Sequence, residues 1–341
     1  MTVASSRWSV EERTTPSPGR LAADLRKGLS ARPVTIPPKW FYDEKGSALF
    51  DAITQLPEYY PTRTEEAILR AHAAELPLAD TLVELGAGYS RKTRLLLEAL
   101  TAGGRPLLFA PLDVAAEPLR DAARRITEDF PTVTVRGVVA DFDDELAPLP
   151  GEPGSRLVAF LGSTIGNLTP GPRAAFLQRL YRATDPGDRF LLGADLVKDP
   201  DRLVRAYDDS SGVTAAFNKN LLEVLARELD ADLDPDDFDH VAVYDVDRDR
   251  IEMRLRARRA LRVPVRALDV VWELAAGEEV LTETSAKFRL EGLRQELDAA
   301  GFEVEQVWTD TARDFSLTLA RRRRQPTGNG YLPAHESQGE P

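Results

Sequence analysis

Two glycines and two acidic residues stand where a folded chain could bring them to one edge of a sheet. In LVELGAGYSRKTRLLLEAL, Gly86 and Gly88 follow an apolar run and precede a helical pattern, so the backbone there can approach a ligand. Asp113 closes the next apolar run, where a carboxylate can accept both hydroxyls of a ribose. Asp141 closes the run after it and can accept from an exocyclic amine, while Phe142 can cover a base. These residues predict a nucleoside-binding site.

The same turn lacks the third glycine of a dinucleotide-binding motif. Position 91, at which glycine would let a helix N-terminus meet a pyrophosphate, holds Arg91. A pair of glycines alone also suits an ordinary tight turn between a strand and a helix. A nicotinamide-dependent enzyme is therefore the alternative at this point, and Arg91 argues against it.

The elements that must position these residues follow a doubly wound α/β pattern. Helical segments separate apolar runs at residues 81–86, 105–114, 133–142, 156–164 and 189–197. Near-continuous apolar strands between helices are typical of a parallel sheet that is covered on both faces. A helix and two strands within residues 285–322 then close the predicted sheet.

Two regions lie outside this alternation. Residues 199–230 read as one long helical stretch and residues 240–265 as antiparallel strands, which predicts an insertion over 198–286. The N-terminal 62 residues are crowded with aromatic side chains, which suit either a core or the wall of a polar pocket.

The composition narrows the class of partner. The chain has 341 residues, 43% hydrophobic and 29% charged, as in a globular protein with a substantial core. Forty-four basic and 56 acidic residues give a net charge of -12, which argues against nucleic acid and anionic lipid as partners. Three histidines and no cysteine argue against a metal site. With no apolar run of membrane-spanning length and no signal-peptide core, we expect a cytoplasmic protein that acts on a small molecule.

The E-x-G-x-G turn, with acids ending the second and third strands, resembles the class I S-adenosylmethionine-dependent methyltransferases. The resemblance implies a Rossmann-like sheet that binds S-adenosylmethionine and releases S-adenosylhomocysteine, without a metal. It implies that Asp113 holds the ribose, and that Asp141 and Phe142 hold the adenine. It also implies that Gly86, Gly88 and Lys92 line the amino acid part of the cofactor, with Lys92 meeting its carboxylate.

Four further motifs narrow the resemblance: KWFYDEKGSALFDAITQLPEYYPTR, LGSTIGNLTP, RAYDDSSGVTAAFNKN and TETSAKF. Together they resemble the ergothioneine-pathway histidine N-alpha-methyltransferases, over about residues 40–319. That family places three methyl groups on the alpha-amine of L-histidine, giving hercynine, and the resemblance suggests a monomer. It implies an α+β substrate-binding domain at 1–62 and 198–286 and a methyltransferase domain at 63–197 and 287–323. The polar, Pro/Gly-rich composition of residues 324–341 predicts a disordered tail.

The amino acid head of the substrate needs a group that both donates and accepts. The amide of Asn167 can donate to a carboxylate while its carbonyl accepts from an amine. The resemblance implies that Asn167 grips this head, with the backbone of Gly162 close to the amine. It also places Tyr42 near the cofactor and the reacting amine, so Tyr42 and Asn167 are the catalytic candidates.

Two tyrosines match the family positions that bind the substrate carboxylate through their hydroxyls, Tyr59 and Tyr207. A core tyrosine is the ordinary alternative for Tyr207, which falls in a helical segment. Because Tyr59 is followed by Tyr60, either residue could be the carboxylate contact.

The side chain of the substrate has its own candidates, Glu283 and Ser285. They are two residues apart, so in an extended chain both point to one face. A carboxylate that accepts one ring N–H and a hydroxyl that donates to the other nitrogen would match a neutral imidazole. Indole has one N–H and would leave part of the pair unsatisfied, which favours histidine over tryptophan. The resemblance adds Met253 to this pocket.

Two alternatives remain open from the sequence. The acceptor could be another amino acid such as tryptophan, which Glu283 disfavours. The chain could also be a cofactor-binding module without catalysis, although it carries Asn167, Tyr207 and Glu283 together.

Overall fold

The structure is a computed structural model that describes residues 3–4, 7–13, 17–88, 92–141, 146 and 148–323. Phe142, Arg91 and the predicted tail at 324–341 lie outside the described residues. The helices are α1 Pro18–Leu29, α2 Glu44–Thr54, α3 Tyr60–His72, α4 Thr93–Leu100, α5 Ala116–Asp129, α6 Pro170–Ala183, α7 Pro200–Tyr207, α8 Val213–Leu229 and α9 Leu290–Ala299. The strands are β1 Val3–Ala4, β2 Trp8–Glu12, β3 Val34–Thr35, β4 Thr81–Leu85, β5 Leu107–Asp113, β6 Val133–Val139, β7 Arg156–Phe160, β8 Arg189–Asp195, β9 Phe238–Asp245, β10 Arg250–Ala257, β11 Leu261–Val265, β12 Val270–Leu274, β13 Glu279–Ala286, β14 Phe302–Thr309 and β15 Phe315–Arg322.

A large sheet carries the fold, in the order β1-β2-β6-β5-β4-β7-β8-β15-β14. The strands from β2 to β8 in this order pair in parallel, whereas β15 runs antiparallel to β8 and β14 antiparallel to β15. The two N-terminal strands β1 and β2 form one edge of the sheet, the chain then enters the middle at β4 and winds outward in both directions, and the β14–β15 hairpin forms the other edge. The predicted doubly wound α/β fold class is confirmed.

Alternate side chains of the central strand enter two different hydrophobic layers. In β4, Leu82 packs in one core with Leu96 of α4, while Val83 and Leu85 pack in another with Phe176 of α6. Because successive side chains of a strand point to opposite faces, a run with no polar alternation must be covered on both sides. This burial fixes the carboxyl ends of the parallel strands at one edge of the sheet.

A second, smaller sheet has the order β3-β13-β10-β9 and packs with α1, α2, α7 and α8 around its own hydrophobic core. Its strands β9, β10 and β13 lie between β8 and α9, where the sequence predicts an insertion. Its edge strand β3 comes from the N-terminal segment and pairs in parallel with β13. The N-terminal segment and the insertion thus share one core.

The predicted division of the chain differs from the observed pairing at its start. Strand β2 pairs in parallel with β6 of the large sheet, through partners such as Val10 and Gly137. Residues 8–12 therefore belong with the methyltransferase sheet and not with the second unit. The short apolar alternation of β2 supplies one buried side chain, Val10, to the core of the large sheet.

The predicted long helical stretch at 199–230 is wrong as a single helix, because it divides into α7 and α8. The carboxylate of Asp209 accepts hydrogen bonds from the backbone N–H groups of Val213 and Thr214, at 3.0 and 2.7 Å. Gly212 has a φ of 72°, which an L-residue rarely adopts. The Asp209 carboxylate and the backbone conformation of Gly212 together start the new helix α8. In the part of the chain that the structure describes, no helix has the length and apolar character needed to cross a membrane.

Candidate functional site

A cavity of about 450 Å³ opens at the carboxyl ends of β4, β5 and β7, beneath the N-terminal segment. Nine of the predicted site residues line it: Tyr42, Tyr59, Gly86, Gly88, Lys92, Asp113, Asp141, Gly162 and Asn167. The structure therefore brings the cofactor candidates and the amino acid head candidates to one place. The predicted Phe142 is outside the described residues.

The glycine turn after β4 presents its backbone to this cavity. Gly86 and Gly88 have φ values of 69° and 49°, in the region that favours glycine. A Cβ atom added to Gly88 would have no atom of a described residue within 4 Å, so none of these residues blocks a ligand there. Asp113 accepts from the backbone N–H groups of Gly88 and Ala115, each at 2.9 Å. Burial raises the pKa of Asp113 while these two hydrogen bonds oppose the shift, and its remaining lone pairs can accept from a diol.

Lys39 ties the N-terminal segment to the predicted adenine acid. Its Nζ lies 3.0 Å from Asp141 Oδ2 and 3.1 Å from Asp24 Oδ2. Burial alone would lower the pKa of Lys39, but the Asp141 and Asp24 carboxylates raise it above its ordinary value. Sequence reasoning missed Lys39, although it is the first residue of the KWFYDEKGSALFDAITQLPEYYPTR motif.

Glu65 of α3 joins two predicted site residues and was also missed. Its fully buried carboxylate accepts from the Gly162 backbone N–H at 2.9 and 3.0 Å and lies 2.5 Å from Lys92 Nζ. A Cβ on Gly162, where φ is 75°, would come within 3.1 Å of Lys92 Nζ. Glu65 therefore fixes the position of Lys92, and the carbonyl of Gly162 is the backbone group left to face an amine.

Three polar side chains line the cavity next to the glycine turn. The hydroxyls of Tyr42 and Tyr59 and the side-chain amide of Asn167 form no hydrogen bond with any described residue. Burial is the main cause that raises the pKa of both tyrosines well above the ordinary value, so both hydroxyls stay neutral. The hydroxyl of Tyr60 instead donates to Asp195 and accepts from Lys198, at 2.7 to 2.9 Å, and lies outside the cavity. This geometry favours Tyr59 over Tyr60 as a substrate contact.

The predicted side-chain pocket, Tyr207, Met253, Glu283 and Ser285, lies behind this wall and not among the cavity-lining residues. Tyr207 packs edge-on against Tyr59, with ring centroids 6.2 Å apart, which joins the two groups. Both Glu283 and Ser285 lie on β13, as predicted, and Met253 pairs with Glu283 from β10. The four residues thus lie in the second unit, and the contact between Tyr207 and Tyr59 connects them to the cavity wall.

Glu283 is an acid held in an apolar place. Its carboxylate has no hydrogen bond or ion pair with any described residue. Burial raises its pKa to about 7, and only the nearby Lys287 ammonium opposes the shift. An unpaired acceptor of this kind is ready for a ligand N–H.

Ser285 and Tyr207 are hydrogen-bonded to each other, with 2.8 Å between their hydroxyl oxygens. Lys287, whose side chain is fully buried, lies 2.8 Å from Ser285 Oγ, 3.0 Å from Tyr207 Oη and 2.9 Å from Asp195 Oδ2. Sequence reasoning missed Lys287 and Asp195, although Lys287 is part of the TETSAKF motif. The predicted contact of Tyr207 with a substrate carboxylate must compete with this hydroxyl pair.

These residues suit a nucleoside that carries an amino acid tail. An acid with free lone pairs ends β5, a lysine ammonium lies across the cavity at Lys92, and an open backbone turn at Gly88 connects them. Within the described ranges, no group of three or more His, Cys, Asp or Glu side chains is placed to hold a metal ion. The arrangement matches S-adenosylmethionine in chemistry.

Replacing Glu283 with glutamine should stabilise the protein at high pH. The native pKa of about 7 exceeds the ordinary 4.5, so the folded protein binds the proton more tightly and loses stability as pH rises from about 4.5 to 7. Glutamine has no such loss. We expect the Tm of Glu283→Gln to equal that of the wild type near pH 5 and to exceed it at pH 8.

Glu279, on the same strand as Glu283, offers a control because its pKa is shifted in the opposite direction. Although burial alone would raise it, Arg254 and Arg256 hold the pKa of Glu279 below its ordinary value. Glu279→Gln should therefore lower the Tm at pH 8 or leave it unchanged. A Tm difference for Glu283→Gln that is constant from pH 5 to pH 8 would contradict the raised pKa.

Comparisons with known proteins show the family to which the chain belongs. The family model described as histidine-specific methyltransferase, SAM-dependent, matches residues 21–322. A histidine N-alpha-methyltransferase of Mycolicibacterium smegmatis is 56% identical over 305 residues, which are 89% of this chain and 95% of that protein. Ergothioneine biosynthesis protein 1 of Neurospora crassa is 30% identical over 304 residues, 86% of this chain and 34% of that protein.

Solved methyltransferase structures are similar to this chain at low sequence identity. A Burkholderia thailandensis 1,6-didemethyltoxoflavin-N1-methyltransferase, with S-adenosylhomocysteine bound, is 15% identical with a TM-score of 0.42, covering 91% of this chain and 92% of its own. The family model spans nearly the whole described sheet and both parts of the smaller unit. The chain belongs to the SAM-dependent, histidine-specific methyltransferase family.

Proposed function

We propose that this enzyme transfers three methyl groups to the alpha-amine of L-histidine, giving hercynine for ergothioneine biosynthesis. The observation that carries the proposal is the half-buried, unpaired carboxylate of Glu283, on the same strand face as Ser285. Family membership and the relatives from M. smegmatis and N. crassa support it.

At the cofactor end, different residues contact different parts of S-adenosylmethionine. S-adenosylmethionine supplies an electrophilic methyl group on a sulfonium when it is bound. Asp113 accepts from the ribose hydroxyls, and Asp141, held by Lys39, accepts from the adenine amine. Lys92, held by Glu65, meets the carboxylate of the amino acid tail. Gly86 and Gly88 let the backbone come close to that tail.

At the amino acid head, the residues must position an amine that has a free lone pair. The side-chain amide of Asn167 donates to the substrate carboxylate, assisted by the Tyr59 hydroxyl. The Asn167 carbonyl oxygen and the Gly162 carbonyl accept from the amine. The Tyr42 hydroxyl, kept neutral by its raised pKa, holds the amine without acting as a phenolate base. Positioning of this kind supplies much of the rate in a displacement that needs little acid–base catalysis.

At the side-chain end, Glu283 accepts one imidazole N–H and Ser285 donates to the other nitrogen. A tryptophan ring carries a single N–H and no acceptor nitrogen, so it would leave the Ser285 proton without a partner. Met253 contributes an apolar wall beside Glu283. The same end that favours histidine therefore disfavours the tryptophan alternative.

We also propose an oligomeric state and domain boundaries for the protein. A monomer stays a prediction from the family resemblance, and light scattering of the purified protein would test it. We assign 13–62 and 198–286 to the substrate-binding unit, with residues 8–12 moved to the methyltransferase sheet. A cytoplasmic location stays a prediction from the sequence.

The test is mass spectrometry of an equimolar mixture of the twenty free amino acids incubated with the protein and S-adenosylmethionine. We expect histidine alone to gain mass, ending at three added methyl groups, and S-adenosylhomocysteine to accumulate in threefold proportion. Methylated tryptophan with unmodified histidine would favour the alternative acceptor. An unmodified mixture would refute the proposal and revive the non-catalytic module.

A further inference from the structure

Lys287 is a buried cation, and each of its three ammonium protons has a hydrogen-bond acceptor. An ammonium group carries three protons, and three acceptors surround this one: Asp195 Oδ2 at 2.9 Å, Tyr207 Oη at 3.0 Å and Ser285 Oγ at 2.8 Å. The side chain of Lys287 has no exposed surface, so water does not compete for these protons. Each of the two hydroxyl oxygens therefore already accepts one hydrogen bond from Lys287.

The hydroxyls of Tyr207 and Ser285 then have one free proton between them. They lie 2.8 Å apart, so one must donate to the other. A phenol is the stronger donor and the weaker acceptor, and so Tyr207 donates to Ser285. The Ser285 oxygen then accepts from both Tyr207 and Lys287, which fills its two lone pairs. Its own proton is left, and Ser285 can only donate.

The charged groups around this pair come from several elements. Behind Lys287 lie Asp195 at the end of β8, Lys198 at 2.5 Å from Asp195, and the Tyr60 hydroxyl of α3. His240 of β9 contacts the backbone carbonyl of Tyr207 with Nε2 at 2.8 Å. On the ligand side stands Glu283, whose negative charge alone would favour a doubly protonated ring. The ammonium of Lys287, in direct contact with Ser285, opposes it.

We propose that Lys287 is a positioning residue that makes the Ser285 hydroxyl a donor only, so that the pocket takes histidine with a neutral imidazole ring. This inference rests on the proposed function. An imidazolium would bring an N–H to Ser285, which has no lone pair left to accept it, and a positive charge towards the ammonium behind it. The neutral ring offers an unprotonated nitrogen to Ser285 and an N–H to Glu283.

The test is the ¹⁵N spectrum of ring-labelled L-histidine bound to the wild-type enzyme with S-adenosylhomocysteine at about pH 6, where free histidine is mostly imidazolium. We expect one protonated nitrogen and one unprotonated, hydrogen-bonded nitrogen. Two protonated nitrogens would overturn the proposal. Histidine that neither binds nor is methylated by the wild type would instead refute the proposed function, and this inference with it.

A variant then tests the role of Lys287 itself. In Lys287→Met the Ser285 oxygen regains a lone pair, so we expect a doubly protonated ring at pH 6 and a KM for histidine raised about tenfold, with the KM for S-adenosylmethionine unchanged. If Lys287→Met does not fold, the double variant Asp195→Asn/Lys287→Met replaces it, because it removes both charges of the pair. The double variant should also show the ¹⁵N spectrum of a doubly protonated ring. Tyr60→Phe removes the hydroxyl that donates to Asp195 but leaves the contacts of Ser285 in place. The imidazole ring of histidine bound to this variant should stay neutral. A neutral ring in folded variants that lack Lys287 would overturn the assignment.

Discussion

Replacing Glu283 with alanine should lower kcat/KM for L-histidine by roughly 10- to 100-fold, because a hydrogen bond to a buried charged group contributes about 1.5 to 3 kcal/mol. The carboxylate has no competing partner among the described residues, so its loss falls on the substrate alone. Tryptophan, which the wild type is not expected to methylate, serves as the negative control substrate. The measurement is the initial rate of S-adenosylhomocysteine release with each amino acid.

The glutamine variant at the same position separates recognition from folding. Glu283→Gln keeps the size and one acceptor oxygen but removes the charge, so its loss should be smaller than that of alanine. If its Tm at pH 8 exceeds that of the wild type, as expected above, lost activity cannot be ascribed to unfolding. Unchanged histidine turnover in the alanine variant would show that the imidazole lies elsewhere.

The large sheet could be predicted because its information is local. Each apolar run between residues 81 and 197 became a strand, and Asp113 ends β5 as expected. A strand that is buried on both faces leaves an uninterrupted apolar run, which a helix or a surface strand does not. The start of the chain was harder, since β2 exposes Glu11 and Glu12 and contributes a single buried side chain. A five-residue edge strand carries too little pattern to show which sheet it joins.

The helix break at residues 208–212 was missed for a related reason. Helical periodicity continues on both sides of it, and the break depends on Asp209 bonding backbone groups four and five residues later. Acidic and serine residues in such a segment also suit the exposed face of one helix. Only the cap geometry distinguishes the two readings.

The cavity-lining residues could be proposed from motifs, but the charged side chains that hold them in place were missed, even Lys39 and Lys287, which lie inside motifs. Glu65 lies 97 residues from Gly162, and Lys39 lies 102 residues from Asp141. A charged residue on a helical segment is usually solvated, so nothing local distinguishes Glu65 from its exposed neighbours. Lys287 stood inside a quoted motif, yet its three acceptors come from β8, α7 and β13. Such contacts follow from the fold and not from spacing.

Asn167→Asp should cause the second large loss, a fall in kcat/KM for histidine of roughly 100-fold or more. The change is isosteric, but it removes the N–H donor proposed to hold the substrate carboxylate and places a negative charge beside it. The backbone should stay in place, because the Thr164–Asn167 turn bonds its own loop and its last carbonyl accepts from Thr284 at 3.4 Å. Steady-state rates at varied histidine and saturating S-adenosylmethionine measure the effect.

Two comparisons make this loss specific to the carboxylate. Asn167→Ala removes the donor without adding charge, so its loss should be about tenfold, clearly smaller than that of the aspartate variant. Histamine, which lacks the carboxylate, should be used by Asn167→Asp no worse than by the wild type. Binding of S-adenosylhomocysteine by calorimetry should be unchanged in both variants, since Asp113 and Lys92 are separate from Asn167. Equal losses in the two variants, for histidine and histamine alike, would mean that Asn167 shapes the loop and that the carboxylate is held elsewhere.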